Sequence, residues 1–155
     1  MEFPGGPLNL FMTEIGEPEE NTLRVVVTEG ELGDLTSVDM AGTEISGARP
    51  IEMGPDSRKF EFYWDSYIAY VVRNESYWKK ETGEAEFSSH FYSRTTSAFL
   101  DYVAATTFAS EDYPGPMTHW ALDTLNHCLA VVGIEAPRLR QLHGTGVAQS
   151  HLRLV

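Results

Sequence analysis

The chain has 155 residues, of which 42% are hydrophobic and 22% charged, proportions that are ordinary for one globular domain and exclude disorder throughout. The formal net charge is −12, and residues 1–57 carry most of it, with twelve acidic residues against two arginines. Such a surface repels nucleic acid and anionic membranes, so we expect neither as a partner. A basic protein partner remains open.

The cysteine count and the N-terminal sequence indicate the cellular compartment. Cys128 is the single cysteine and cannot form an internal disulfide, which is typical of a reducing compartment. Residues 1–20 lack basic residues and a long apolar run, and no segment reaches the roughly 18 apolar residues of a membrane helix. We therefore expect a cytoplasmic protein with one domain over residues 1–140 and a frayed tail over 141–155.

The N-terminal third is predicted to form short strands separated by turns. Alternating or apolar runs indicate strands at Leu8–Ile15 and Thr22–Thr28, with a loop between them. Two further short strands, Val38–Met40 and Glu44–Ser46, flank a turn at residues 41–43.

The strongest strand pattern covers residues 58–75. Its even positions are nearly all apolar and predict a core face: Phe60, Phe62, Trp64, Ser66, Ile68, Tyr70 and Val72. Its odd positions are mixed and include Tyr63, Asp65, Tyr67 and Arg73. Because the segment is long for one strand, we expect a bulge or bend near Asp65 and Ser66.

The C-terminal half combines strands with one helix. Residues 87–94 are predicted to form a strand, and residues 97–108 a helix capped by Thr96 or Ser97. Together these elements predict an α+β fold, a mostly antiparallel sheet with the helix packed on one face. Free sheet edges in such a fold would allow a homodimer.

Residues 117–134 fit either a helix or a strand. A helix would place His119, Asp123 and His127 on one face, where they could hold a metal ion, whereas a straight strand would separate the two histidines by about 26 Å. No metalloenzyme motif is present, and we predict no metal site and no cofactor.

Three segments resemble a group of small uncharacterised bacterial proteins in their aromatic and Asn-Glu spacing. They are Trp64–Tyr77, Ser97–Val103 and His119–Pro137, about half of the chain. The resemblance implies a bacterial cytosolic origin and favours strands for the disputed segment. It implies no particular activity.

Two functional hypotheses follow. No catalytic motif is present, so the leading hypothesis is a non-enzymatic interaction module that binds a basic protein through its acidic surface. The alternative is a small-molecule-binding protein or weak enzyme with a pocket on the odd face of the aromatic strand. In that pocket Asp65 would accept a hydrogen bond, Arg73 would hold an anion, and Tyr63 and Tyr67 would supply stacking area.

Overall fold

The structure is a computed structural model that describes residues 3–79 and 90–142. Its elements, in chain order, are β1 (Leu10–Gly16), β2 (Leu23–Glu29), β3 (Glu31–Leu32), β4 (Thr36–Met40), β5 (Thr43–Ala48), β6 (Ile51–Glu52), β7 (Lys59–Trp64), β8 (Ala69–Asn74), β9 (Phe91–Arg94), α1 (Ala98–Thr106), β10 (Thr118–Asp123), β11 (His127–Gly133) and β12 (Arg138–Leu142). A 3-10 helix, Glu75–Tyr77, follows β8.

Two four-stranded antiparallel sheets dominate the architecture. The first has the strand order β1-β2-β7-β12, and the second has the order β8-β11-β10-β9. Two smaller pairs, β3 with β6 and β4 with β5, lie outside these sheets. With α1 packed against the second sheet, the predicted α+β class is confirmed.

The main core lies between the two sheets. Apolar side chains alternate along the strands, so each sheet turns one row of them toward the other. The first sheet contributes Leu10, Met12, Leu23, Val25, Val27, Phe60, Phe62 and Trp64. The second contributes Trp120, Leu122, Leu129 and Val131, with Tyr70 and Phe91 at the edges.

The prediction of one strand over residues 58–75 is wrong. β7 pairs with β2 and β12 in the first sheet, whereas β8 pairs with β11 in the second. The chain crosses between the sheets through residues 65–68, where a bend had been expected. Four residues separate the strands, so the alternation keeps its phase: Trp64 and Tyr70 both contact the core between the sheets. A period-two pattern therefore cannot reveal the change of sheet.

Residues 117–134 form two strands, and the helical alternative is wrong. β10 and β11 are joined by a tight turn at Thr124–Asn126, where the Thr124 hydroxyl donates to the carbonyl of His127 (2.7 Å). The Asn126 side chain forms two hydrogen bonds with the backbone of Met12 on β1, in the way that a neighbouring strand would. Its Oδ1 accepts from the Met12 amide (2.9 Å), and its Nδ2 donates to the Met12 carbonyl (3.0 Å). This hairpin turn therefore ties the second sheet to the edge of the first.

Helix α1 agrees with the helix predicted for residues 97–108, although it ends two residues earlier. Ser97 is the N-cap, and its Oγ accepts from the Leu100 amide (3.0 Å). At the other end the Thr107 hydroxyl donates to the Val103 carbonyl (2.8 Å), which competes with continuation of the helix.

Several predictions fall partly outside the described residues. Of the strand predicted over residues 87–94, β9 covers 91–94, and residues 87–89 lie outside the described part. β12 continues to Leu142, past the predicted start of the tail, and residues 143–155 also lie outside it. Within 3–79 and 90–142, no helix is long and apolar enough to cross a membrane.

Candidate functional site

The outer face of the second sheet carries a cavity of about 260 Å³. Strand register places three rows of side chains on this face. They are Arg73–Cys128–Asp123, then Val71–Ala130–Ala121–Tyr92, then Ala69–Val132–His119–Arg94. Helix α1 covers the end of the face at Val71, Ala130 and Val132 through Phe99, Leu100 and Val103. The cavity lies beside the helix, and Ala130 belongs both to its lining and to the apolar cluster under α1.

Side-chain size explains why a depression forms here. The middle of the face is made of three small residues, Ala121, Cys128 and Ala130, which form the cavity floor. Long side chains stand around them: Arg73, Tyr77, Trp78 and Lys79 on the β8 side, and Tyr92 and Arg94 on the β9 side. Small residues between large ones leave space that the sheet itself cannot fill.

The 3-10 helix positions the wall on the β8 side. Asn74 caps it, with Oδ1 accepting from the Ser76 amide (3.0 Å), and the Trp78 amide donates to the Glu75 carbonyl (2.9 Å). This single tight turn ends β8 and directs the following residues back along the sheet. As a result Trp78 and Lys79 line the cavity together with Arg73.

The charge of the cavity differs from that of the chain. Among the lining residues that the structure describes, Arg73, Lys79 and Arg94 are cationic and Asp123 is the one acidic residue. The whole chain has a net charge of −12. A concave site of positive sign on an acidic protein attracts a small anion locally and repels it elsewhere.

A hydrogen-bonded chain holds the β9 side of the cavity in place. The Tyr92 hydroxyl donates to Asp123 Oδ2 (3.0 Å), and the Arg94 guanidinium donates to the Tyr92 hydroxyl (3.3 Å). The same guanidinium lies 5.0 Å from the centroid of the Tyr92 ring, within cation–π distance. Arg94 is therefore fixed largely by its neighbours in the protein.

The cavity is also connected to α1. His119 is 6% exposed, and its Nδ1 lies 2.8 Å from Ser97 Oγ, the atom that caps the helix. The Phe99 ring packs edge-on against the imidazole, with 5.9 Å between the ring centroids. These contacts fix the imidazole beside the floor.

Cys128 lies in the floor but is not prepared for nucleophilic chemistry. Burial of the side chain and, after it, the neighbouring Asp123 carboxylate raise the pKa of the thiol to about 12. The side chain is therefore a neutral thiol at physiological pH, because burial and Asp123 outweigh the opposing effect of Arg73 on its pKa. In the cavity it supplies a small apolar surface.

The four residues predicted to form one ligand site lie in three places. Arg73 lines the cavity. Asp65 instead pairs with Arg138 (2.6 Å), whose guanidinium lies 4.8 Å from the centroid of the Tyr63 ring. Tyr67 donates to Glu17 Oε1 (2.5 Å), a bond that, together with burial, raises the pKa of its phenol to about 12. The crossing at residues 65–68 separates them, because it moves Arg73 into the other sheet.

Sequence reasoning missed most of the cavity. Its residues come from four strands and one turn, so no short motif contains them. The one signal that could have indicated the cavity was the presence of Ala121 and Ala130 inside strands. Alanine is depleted in strands, and its small side chain fills little of the space above a sheet. Over 3–79 and 90–142, no group of three or more His, Cys, Asp or Glu residues could hold a metal ion.

Fold and site together define a class: a two-sheet antiparallel sandwich with one covering helix and a cationic, partly aromatic cleft beside it. No protein-family model matches this chain, and neither the curated proteins nor the solved structures yield a significant match.

Proposed function

We propose that this protein binds a small anionic molecule in the cleft on the outer face of the second sheet. The observation that carries the proposal is the combination of three cationic side chains, Arg73, Lys79 and Arg94, around a floor of small residues in a chain of net charge −12. The proposal keeps the small-molecule alternative drawn from the sequence. It moves the pocket from the predicted strand face to the second sheet.

Size and chemistry support a small ligand. The cavity volume of about 260 Å³ lies just below the usual range for ligand pockets, roughly 300–1,000 Å³. Arginine and lysine donate charge-assisted hydrogen bonds to carboxylates and phosphates, and these bonds are about twice as strong as neutral ones. Asp123 and the aromatic walls would orient the rest of the molecule. Such a site binds and positions its ligand without a catalytic nucleophile.

The test is calorimetric titration with acetate, benzoate, succinate and inorganic phosphate. We expect at least one of these anions to bind the wild-type protein, and Arg73→Gln to weaken that binding by about tenfold or more, because a hydrogen bond to a charged group contributes roughly 1.5–3 kcal/mol. Arg138→Gln is the matched control, since Arg138 is exposed and lies at Asp65, outside the cleft. Failure of all four anions to bind, or equal affinity in the Arg73 variant, contradicts the proposal.

A second function, an interaction surface for a basic protein, is favoured by the acidic first third of the chain. Most of its carboxylates are exposed: Glu14, Glu17, Glu19, Glu20, Glu31, Asp34, Asp39, Glu44, Glu52 and Asp56. A homodimer remains part of this candidate, because β8 ends its sheet and, over the described ranges, pairs with β11 alone.

For the acidic surface we expect a basic partner that is captured at low salt and released at high salt, because exposed charges are screened beyond about 10 Å at 0.1 M. Glu19→Lys with Glu20→Lys should weaken capture. The matched control is Glu111→Lys with Asp112→Lys, exposed acids elsewhere in the chain, which should leave it unchanged. A partner whose capture is insensitive to salt and to both pairs of substitutions argues against this function.

A further inference from the structure

We infer that the hairpin of β4 and β5 binds an extended basic segment of a partner protein, which adds as a third strand along the free edge of β4. This inference rests on the second candidate function, the acidic interaction surface, and names both the docking edge and the kind of segment that fits it. It is carried by the unpaired backbone groups of β4, by a bulge in β5 and by two carboxylates that lie opposite each other on the hairpin.

The hairpin forms a two-stranded sheet of its own. Over residues 3–79 and 90–142, β4 and β5 pair with each other and with no other strand. An isolated two-stranded sheet is only marginally stable in water, and a third strand stabilises it. Addition of an extended segment to this hairpin is therefore favourable, as in other cases where a peptide joins an exposed sheet edge.

The turn of the hairpin determines which backbone groups of β4 are free. The turn has two residues, 41 and 42, so Met40 and Thr43 form the first hydrogen-bonded pair of the ladder. Hydrogen-bonded and non-hydrogen-bonded pairs then alternate, which directs the N–H and C=O groups of Ser37 and Asp39 away from β5. Outside this ladder, no described residue accepts from these two N–H groups, and the Ser37 carbonyl receives a long contact from the Thr36 hydroxyl (3.4 Å). β4 thus presents a row of backbone groups to an added strand.

The edge of β5 is less suitable for strand addition. Gly47 is an additional residue on β5, because Ser46 and Ala48 pair with consecutive residues of β4. Its φ of 83° is typical of a bulge. A bulge bends the strand and interrupts the ladder, which is one way in which proteins protect a sheet edge from further pairing. Residues 37–40 of β4 pair without such a break, so the added strand is directed to β4.

Charge selects a basic segment. Asp39 and Glu44 are exposed and directly opposite each other, and neither forms an ion pair with a described residue. Like charges at opposite positions repel, so a cationic side chain placed beside them is stabilising. Residues 25–48 contain five acidic residues and no lysine, arginine or histidine. The same charges repel a second copy of the hairpin, so a homodimer through β4 is unfavourable.

The probe that tests this inference is a heptapeptide of alternating lysine and valine with blocked ends, titrated calorimetrically into the full chain at low salt. Alternation places every lysine on one face of the added strand, where the side chains can contact Asp39 and Glu44. We expect saturable binding. Two N-methylated versions, one at the lysines and one at the valines, each lack the N–H groups of one peptide edge. One of them should bind at least about tenfold more weakly, because it cannot donate to β4.

Two proline substitutions locate the docking edge. Ser37 and Ser46 are both exposed and lie directly opposite each other, and the ladder directs both of their N–H groups outward. Proline lacks the N–H group and is tolerated at edge positions whose N–H faces solvent. Ser37→Pro should weaken peptide binding by about tenfold, whereas its matched control Ser46→Pro, on the β5 edge, should stay within about twofold of the wild type. Neither substitution changes the net charge.

The outcomes separate this inference from the function on which it rests. Peptide binding that is unchanged in Ser37→Pro, or equally weakened in both proline variants, overturns the assignment to the β4 edge. If Ser37→Pro loses the hairpin, as judged by amide NMR, the two N-methylated peptides decide; equal binding of both and of the parent peptide overturns strand addition and leaves an acidic surface that attracts cations. No binding of the parent peptide overturns the inference, and the acidic surface is then tested by the capture experiment with Glu19→Lys and Glu20→Lys.

Discussion

Phe62→Ala is expected to lower the free energy of unfolding by about 3–5 kcal/mol, the usual cost of removing a buried aromatic side chain. Phe62 is fully buried and contacts aromatic rings from both sheets. Its ring centroid lies 4.9 Å from that of Phe91 in the second sheet and 6.2 Å from that of Trp64 in the first. The substitution therefore opens a cavity where the sheets meet. Urea unfolding followed by circular dichroism measures the loss.

Val72→Ala is the control for this prediction. Val72 was predicted to share the core face with Phe62, but its side chain is 37% exposed on β8. We expect its truncation to change the free energy of unfolding by no more than about 1 kcal/mol. Similar losses in the two variants would contradict the different burial of Phe62 and Val72 in the structure.

Removing both arginines that contact Glu61 is expected to destabilise the fold by about 3 kcal/mol at pH 7, because it leaves a buried carboxylate without a counter-ion. Glu61 lies on β7 with its side chain 3% exposed. Its two oxygens accept from Arg24 and Arg140, each at 2.5 Å. The test is chemical unfolding of the variant carrying Arg24→Gln and Arg140→Gln. Adding Glu61→Gln removes the buried charge and should recover at least about 1 kcal/mol.

The pH dependence of that loss follows from the pKa of Glu61. Burial opposes ionisation, but the hydrogen bonds from Arg140 and Arg24 outweigh it and hold the pKa below its usual value of 4.5. Its ionisation therefore stabilises the wild type above pH 4.5, and this contribution is lost as the pH falls through the folded pKa. Without the two arginines, burial acts alone on Glu61 and raises its pKa. Protonation then removes the cost of burying an unpaired carboxylate. The difference between wild type and double variant should therefore shrink from pH 7 to pH 4; a constant difference would contradict this explanation.

The α+β class and several elements could be predicted from the sequence because they depend on local patterns. The alternation of Leu23, Val25 and Val27 marks β2, and Ser97 before an apolar stripe marks the start of α1. Between β4 and β5, Ala41 and Gly42 both have positive φ (52° and 85°), the geometry of a tight hairpin turn, and the turn was predicted there.

The cleft could not be predicted, because it depends on which strands become neighbours. Arg73 was singled out for anion binding, but its partners in the cleft, such as Tyr92 and Arg94, reach it only through the strand order β8-β11-β10-β9. Alternation assigns residues to faces and does not assign strands to sheets. Residues 60–72 keep one phase through the crossing, so Tyr63 and Arg73 were assigned to the same face of one strand.

The most direct test of the anion-binding cleft is an amide-resolved NMR titration of the full chain with benzoate and, separately, with inorganic phosphate. We expect at least one anion to shift the amide resonances of Ala121, Cys128 and Ala130 in a saturable way. Tyr63 and Arg138, on the first sheet, should not shift. Saturable shifts confined to the first sheet, or no saturable shift with either anion, would contradict the anion-binding cleft.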